Sequence, residues 1–353
     1  MKRLNDYLTL TDEDLRRLED VRAGYRRMYE EPQRARPMFI IEPAYAHVSW
    51  EERLADPLVM LKGELDRLRG HLAIGDDAMP TVRVQFGTPQ VAAAFGCQIH
   101  IPPNSLPAAG SRVLASAADV YKLAKPSLAA GWYGKLAEYT RVFLENLPRG
   151  VHVQHPDIQS AFNTAHLVRG DGIFTDFYDD PQAVEALLGL VTDYMIELTE
   201  HLKAMISTDR AWFFDFYAMW KGFARISNCS MHMISPEFYR RHVLPQDLRF
   251  FQAVGGGRMH YCGSNAEVLP EFFAIPDLSG LDFPSQRHDP WRLSEMAPPR
   301  LTLMTSPREG DSVMSRLLAG DWPKKRNIIL TTGASSVEAG KDLLSRLRAS
   351  IPY

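Results

Sequence analysis

Cysteine is scarce in this chain: Cys97, Cys229 and Cys262 are the only three among 353 residues. Three scattered thiols cannot build a disulfide framework, and they point to a reducing, cytoplasmic setting. Long apolar runs are also missing. No window approaches about 18 uninterrupted apolar residues, so no membrane-spanning helix is expected. Met1-Lys2-Arg3-Leu4 leads directly into acidic sequence, without the apolar stretch of a signal peptide. There is little net charge of either sign, −3 formally, which excludes a global attraction to nucleic acid or to an anionic membrane. No Gly-x-Gly-x-x-Gly follows any apolar run, so a dinucleotide-binding fold gains no support. What remains is an ordinary globular composition, 45% hydrophobic and 24% charged, in a chain long enough for one large domain.

Short apolar runs recur along that chain. They are Met38–Glu42, Thr81–Phe86, Val151–Gln154, Ala211–Phe216, Gly257–Cys262, Gly280–Phe283, Arg300–Thr305 and Asn327–Thr332, eight candidates for buried strands. Helical patterns separate most of them. Thr11-Asp12-Glu13-Asp14 reads as a capping box opening a helix to about Tyr29. Asp180-Pro181 opens another, whose apolar positions from Val184 to Met205 follow the 3.6-residue period. Further helices are expected after Ser235-Pro236-Glu237, over Asn265–Ala274 and over Val337–Ala349. Eight strands alternating with helices predict an α/β fold, a (β/α)8 TIM barrel over residues 37–353. Residues 1–36 read as an N-terminal helical extension, and 87–150, rich in Pro and Gly early on, as an insertion after the second strand.

Chemistry in such a barrel sits at the C-terminal ends of the strands. His260 and Cys262 are two apart on one run and project to the same side, half of a zinc site. Other strand ends offer Glu42, Gln85, His155 with Asp157, Asp215 with Tyr217, Asp282 and Ser306. Titratable groups gathered at one rim are what a catalytic pocket requires. The segment Asn228-Cys229-Ser230-Met231-His232 either anchors its own loop or brings Cys229 or His232 towards the His260/Cys262 pair.

Several segments resemble the uroporphyrinogen decarboxylase superfamily. They are Asp157-Ile158-Gln159-Ser160, Leu167–Tyr178, Asp179-Asp180-Pro181, Ile234–Tyr239, Leu244-Pro245, Met259-His260-Tyr261-Cys262-Gly263 and Ile328–Gly333. The resemblance implies the same barrel and one of two chemistries. Decarboxylation of uroporphyrinogen goes with an Arg-rich N-terminal motif, but Phe39–Tyr45 holds no Arg and presents Glu42 instead. The corrinoid-dependent methyltransferase branch fits better, because its members often bind zinc through a His-x-Cys pair, here His260 and Cys262. Its third ligand is a Cys after the last-strand Gly, where this chain has Gly333-Ala334, leaving Cys229, Asp282 or Glu42 to supply the ligand.

The expectation is therefore a methyltransferase working between a small methyl donor or acceptor and cobalamin, free or on a corrinoid protein, with zinc as cofactor. In that reading Glu42, Asp157, Asp215 and Asp282 serve in positioning and proton transfer, and His155 is a proton donor. Gln85, Tyr217 and Asn228 contact substrate. A homodimer is expected, with no nucleic-acid or membrane partner. The alternatives are a metal-independent decarboxylase or lyase of a small acid, and a non-catalytic binding barrel.

Overall fold

The computed structural model describes residues 4–45 and 48–352. Met1 to Arg3 and Tyr353, the outermost residues of the predicted extension and barrel, lie outside it. Strands β1 (Met38–Pro43), β2 (Thr81–Val82) and β3 (His152–Val153) precede an antiparallel pair, β4 (Trp212–Asp215) and β5 (Ala218–Lys221). Then come β6 (Ala224–Ser227), β7 (Gly257–His260), β8 (Leu278–Phe283), β9 (Thr302–Thr305) and β10 (Ile328–Ala334). Six of these form one parallel sheet in the order β1-β10-β9-β8-β7-β6, and β2 pairs with β3.

Two seams complete the ring. Between β1 and β2, the Asp77 N–H donates to Phe39 O at 2.8 Å, and the Asp76 and Asp77 carboxylates accept the Ile41 and Phe39 amides. Between β3 and β6, Gln159 bridges Ser227, with the Ser160 N–H donating to Ser227 O and the Ser227 N–H donating to Ile158 O across the gap. The result is the (β/α)8 TIM barrel.

Strand alternation sorts the side chains. On β1, Phe39 and Ile41 face outward and pack with Leu343 and Leu344 of the C-terminal helix, while Met38 and Ile40 face the lumen. Helix α1 (Asp12–Glu30) carries the expected capping box, with Asp14 N–H donating to Thr11 Oγ1. It lies over the N-terminal face, its Tyr25 hydroxyl donating to Asp77 O at 2.9 Å. Helix α2 (Pro57–Ile74) follows β1, and α3 (Tyr133–Asn146) closes the 87–150 segment. The long α4 (Pro181–Ile206) buries one apolar stripe. The helix expected after Ser235 contains a π-turn at Tyr239–Val243 immediately before α5 (Leu244–Val254). That wider turn admits Pro245, which has no N–H to donate.

One strand assignment changes. The aromatic run Ala211–Phe216 alternates like a strand and is one, but it belongs to the β4–β5 hairpin and not to the ring. The fourth barrel strand is β6, which pairs with β7. The hairpin fills the lumen, because its side chains meet inward positions of strands all around the ring. Trp220 lies against Arg258 of β7 and Gly280 of β8, where an added Cβ would stand 2.2 Å from the indole. Met38, Ile40, Met304 and Ile329 pack with the same hairpin. At its tip, Phe216 and Tyr217 both have positive φ, 47° and 57°, the geometry of a two-residue turn whose twist matches its strands.

Candidate active site at the barrel mouth

The tip of the hairpin is the floor of a cavity of about 230 Å³ at the C-terminal ends of the strands. Ile40, Phe216, Phe283 and Met304 give it apolar walls. Glu42, Arg67, Tyr217, His260 and Asp282 supply its polar groups. A small, mostly apolar pocket with a few convergent polar groups suits a small molecule.

At one rim, Cys229, His260 and Cys262 place one ligand atom each within 4.8 Å of one another. The arrangement follows from register. Ser227 of β6 stands beside His260 of β7, so the residues two further on, Cys229 and Cys262, emerge side by side. The Asn228 N–H donates to His260 O at 2.8 Å and fixes this alignment. The two sulfurs are 2.7 Å apart.

His260 donates its Nδ1 proton to Asp282 Oδ2 at 2.5 Å, so Nε2 is the nitrogen that would meet an ion, in exchange for its own proton. A carboxylate behind a ligating imidazole fixes its orientation and raises its basicity. Burial works against a charged His260, but Asp282 outweighs it and lifts the imidazole to about 9. Hydrogen bonds from Cys229 and then His260 hold the Cys262 thiol far below its ordinary range, while its Cys229 partner is pushed up. A His and two Cys, one of them exposed, make a three-ligand set with an open fourth position.

Beneath this rim the lumen holds three arginines that strand-end reading passed over: Arg83, Arg225 and Arg258, each at most 3% exposed. Arg258 Nε donates to Asp215 Oδ2 at 2.5 Å, and its Nη1 pairs with Asp282. Arg225 pairs with Asp157, and Arg83 lies 3.3 Å from Asp215. All three guanidiniums face the Phe216 ring at 5.1 to 5.2 Å. Burial alone would raise Asp215, but Arg258, Arg83 and Arg225 together hold it ionised.

The predicted site residues therefore separate. His260, Cys262, Asp282, Glu42 and Tyr217 meet at the mouth. Asp157 joins the ion network through Arg225. Asp215 is fully buried in the hairpin below the cavity, not at the end of a barrel strand as expected. Asn228 turns away from the cavity and donates to Asp247 of α5 at 2.6 Å. Gln85 is half-buried past the end of β2 and is not among the cavity's lining residues. His155 is buried against Phe213 and Lys203, on a different cavity.

Glu42 is held ionised, at about 2: burial opposes this, but His71 and Arg67 prevail. Arg67 Nε donates to Glu42 Oε1 at 2.7 Å. His71 is sandwiched between Asp76 at 2.8 Å and Glu42 at 3.5 Å. Burial would lower it, yet the two carboxylates raise it to about 9. A group raised on folding stabilises fully below its unfolded value of about 6.5 and loses that contribution as pH climbs through the folded value. Urea midpoints are thus expected to decline between about pH 6.5 and 9, and His71→Gln should flatten that part of the profile. An unchanged slope in the variant would assign the decline to another group.

Comparison with known proteins agrees with this architecture. A solved methyltransferase from Methanosarcina mazei superposes with a TM-score of 0.67 at 14% identity, covering 93% of this chain and 97% of that one. At that identity the likeness concerns the fold. No curated protein matches the sequence. The family pattern described as uroporphyrinogen decarboxylase (URO-D) matches residues 44–283, a span that includes Cys229, His260, Cys262 and Asp282 and exceeds half of the chain. With fold and pattern in agreement, the chain belongs to the uroporphyrinogen decarboxylase family.

Proposed function

We propose that this protein is a methyltransferase that moves a methyl group between a small substrate in the mouth cavity and a corrinoid, either free cobalamin or one carried on a partner protein. The observation that carries the reading is the Cys229–His260–Cys262 cluster, backed by Asp282, at the edge of that cavity. Zinc is the ion such a donor set suits, and when bound it supplies a Lewis acid for the substrate's heteroatom. Ligand atoms around a tetrahedral ion at about 2.3 Å from sulfur sit roughly 3.8 Å apart, so modest rotation of the two thiols opens the site. Asp282 keeps His260 in the ligating tautomer. Glu42, anionic and braced by Arg67, orients the polar end of the substrate, while Ile40, Phe216 and Met304 exclude water from its body. The cavity is far too small for a corrin ring, which must approach across the open rim. Among the described residues no helix is long and apolar enough to cross a membrane.

Elemental analysis together with titration of methylcobalamin and cob(I)alamin tests this reading. The expected result is one zinc per chain and a shift of the cobalt absorption bands when a methyl donor or acceptor is supplied. No metal and no spectral change, with metal-independent carbon dioxide release from a small acid, would replace it with a decarboxylase.

A further inference from the structure

A second cavity, of about 160 Å³, lies on the opposite face of the barrel. Its walls come from the starts of β3 and β4, the last turn of α4 and the middle of α1. Basic groups dominate: Arg22 and Arg26 from α1, His152 of β3, His155 two residues past its end, and Lys203 from α4. Asp209 is the one acid in the lining, and its Oδ1 is already occupied by the Ala211 and Trp212 amides. Arg26 faces the Trp212 ring at 6.0 Å and pairs with no carboxylate among the described residues. Lys203, 2% exposed, donates to Trp212 O at 2.7 Å, which uses one of its three protons.

His155 specifies what is missing. It is 2% exposed, and its Nδ1 proton goes to Pro156 O at 2.9 Å. Its Nε2 has no hydrogen-bond partner among the described residues. Held in that tautomer, Nε2 is a buried lone pair that wants a donor, a costly group to leave unsatisfied. The occupant must therefore accept from arginine and lysine and also donate to an imidazole. A carboxylate or a sulfate cannot donate at neutral pH; a phosphate that keeps one proton does both. The volume is below the range of about 300–1,000 Å³ typical of drug-sized ligands, so the molecule is small.

We propose that this cavity is a binding site for inorganic phosphate, whose hydrogen phosphate form still carries a proton at neutral pH, whereas a monoester, with its second pKa at about 6, has largely lost it. Burial presses Lys203 down to about 8, and an anion at this spot would raise it again. The site is separate from the mouth and does not rest on the methyltransferase reading.

Calorimetric titration of the full chain with inorganic phosphate, a small phosphomonoester, sulfate and malonate at constant ionic strength tests it. Saturable phosphate binding is expected, about tenfold or more tighter than sulfate or malonate, since those leave Nε2 unpaired. The phosphomonoester, largely deprotonated at neutral pH, should bind more weakly than free phosphate, and tighter monoester binding would overturn the donor argument. Arg26→Ala, on an exposed residue that the fold does not need, should weaken phosphate by about tenfold; Lys203→Met should weaken it further if it folds. No saturable binding, sulfate binding equal to phosphate, or unchanged affinity in Arg26→Ala would overturn the proposal.

Discussion

Cys229→Ser should lower zinc affinity at the proposed Cys229–His260–Cys262 site about 100-fold or more, since even the groups behind a ligand are worth about 10- to 100-fold. Cys229 is the residue on which this cluster differs from a His-x-Cys pair completed from the last strand, where Ala334 stands. Serine keeps the size and loses the thiolate, so folding should be untouched while metal content collapses. Asp282→Asn should act in the same direction but less, by about 10- to 100-fold, because it releases the imidazole without deleting a ligand. Competition with a chromogenic chelator gives both affinities. Wild-type metal content in Cys229→Ser would mean that another group completes the site, and the register argument would fall with it.

Arg258→Met is expected to be the most damaging substitution for stability. The side chain is fully buried and serves Asp215 and Asp282 at once. Removing it takes from Asp215 its nearest partner, leaving Arg83 at 3.3 Å and Arg225 at 3.5 Å, and takes from Asp282 one cation beside His260. Breaking a buried pair in this way costs about 3–5 kcal/mol. Against a total stability of about 5–15 kcal/mol, that is a large share. Combining it with Asp215→Asn should recover part of the loss, because the second change removes the buried charge that lost its nearest partner. Urea unfolding of both variants and the double checks this. Strict additivity would show that Arg258 and Asp215 do not act as a unit.

Most of the ring was legible because outward-facing strand positions obey the ordinary apolar rule. Runs such as Ile328–Leu330 and Met38–Ile41 announced themselves. The fourth strand did not, for a physical reason. Ala224–Ser227 is short and carries Arg225 inward, where a hydrophobic pattern would put an aliphatic residue. The aromatic run before it is more strand-like and drew the assignment, because rings that fill a lumen read like rings that fill a strand's face. The buried arginines were hidden for the same reason: each looks solvated until its carboxylate partner, distant in sequence, is placed beside it. Cys229 was half visible. Once β6 is paired with β7, its equivalence to Cys262 follows from counting two residues past Ser227 and His260.

The hairpin wedged along the barrel axis has a kinetic corollary. With that stopper in place, small reactant and small product share one doorway, and a second reactant as broad as a corrin, lying over it, would shut it. Loading of the small molecule must then precede docking of the large one, and departure must run in the reverse order. The sequence of arrival would thus be imposed by plumbing, before any difference in affinity comes into play.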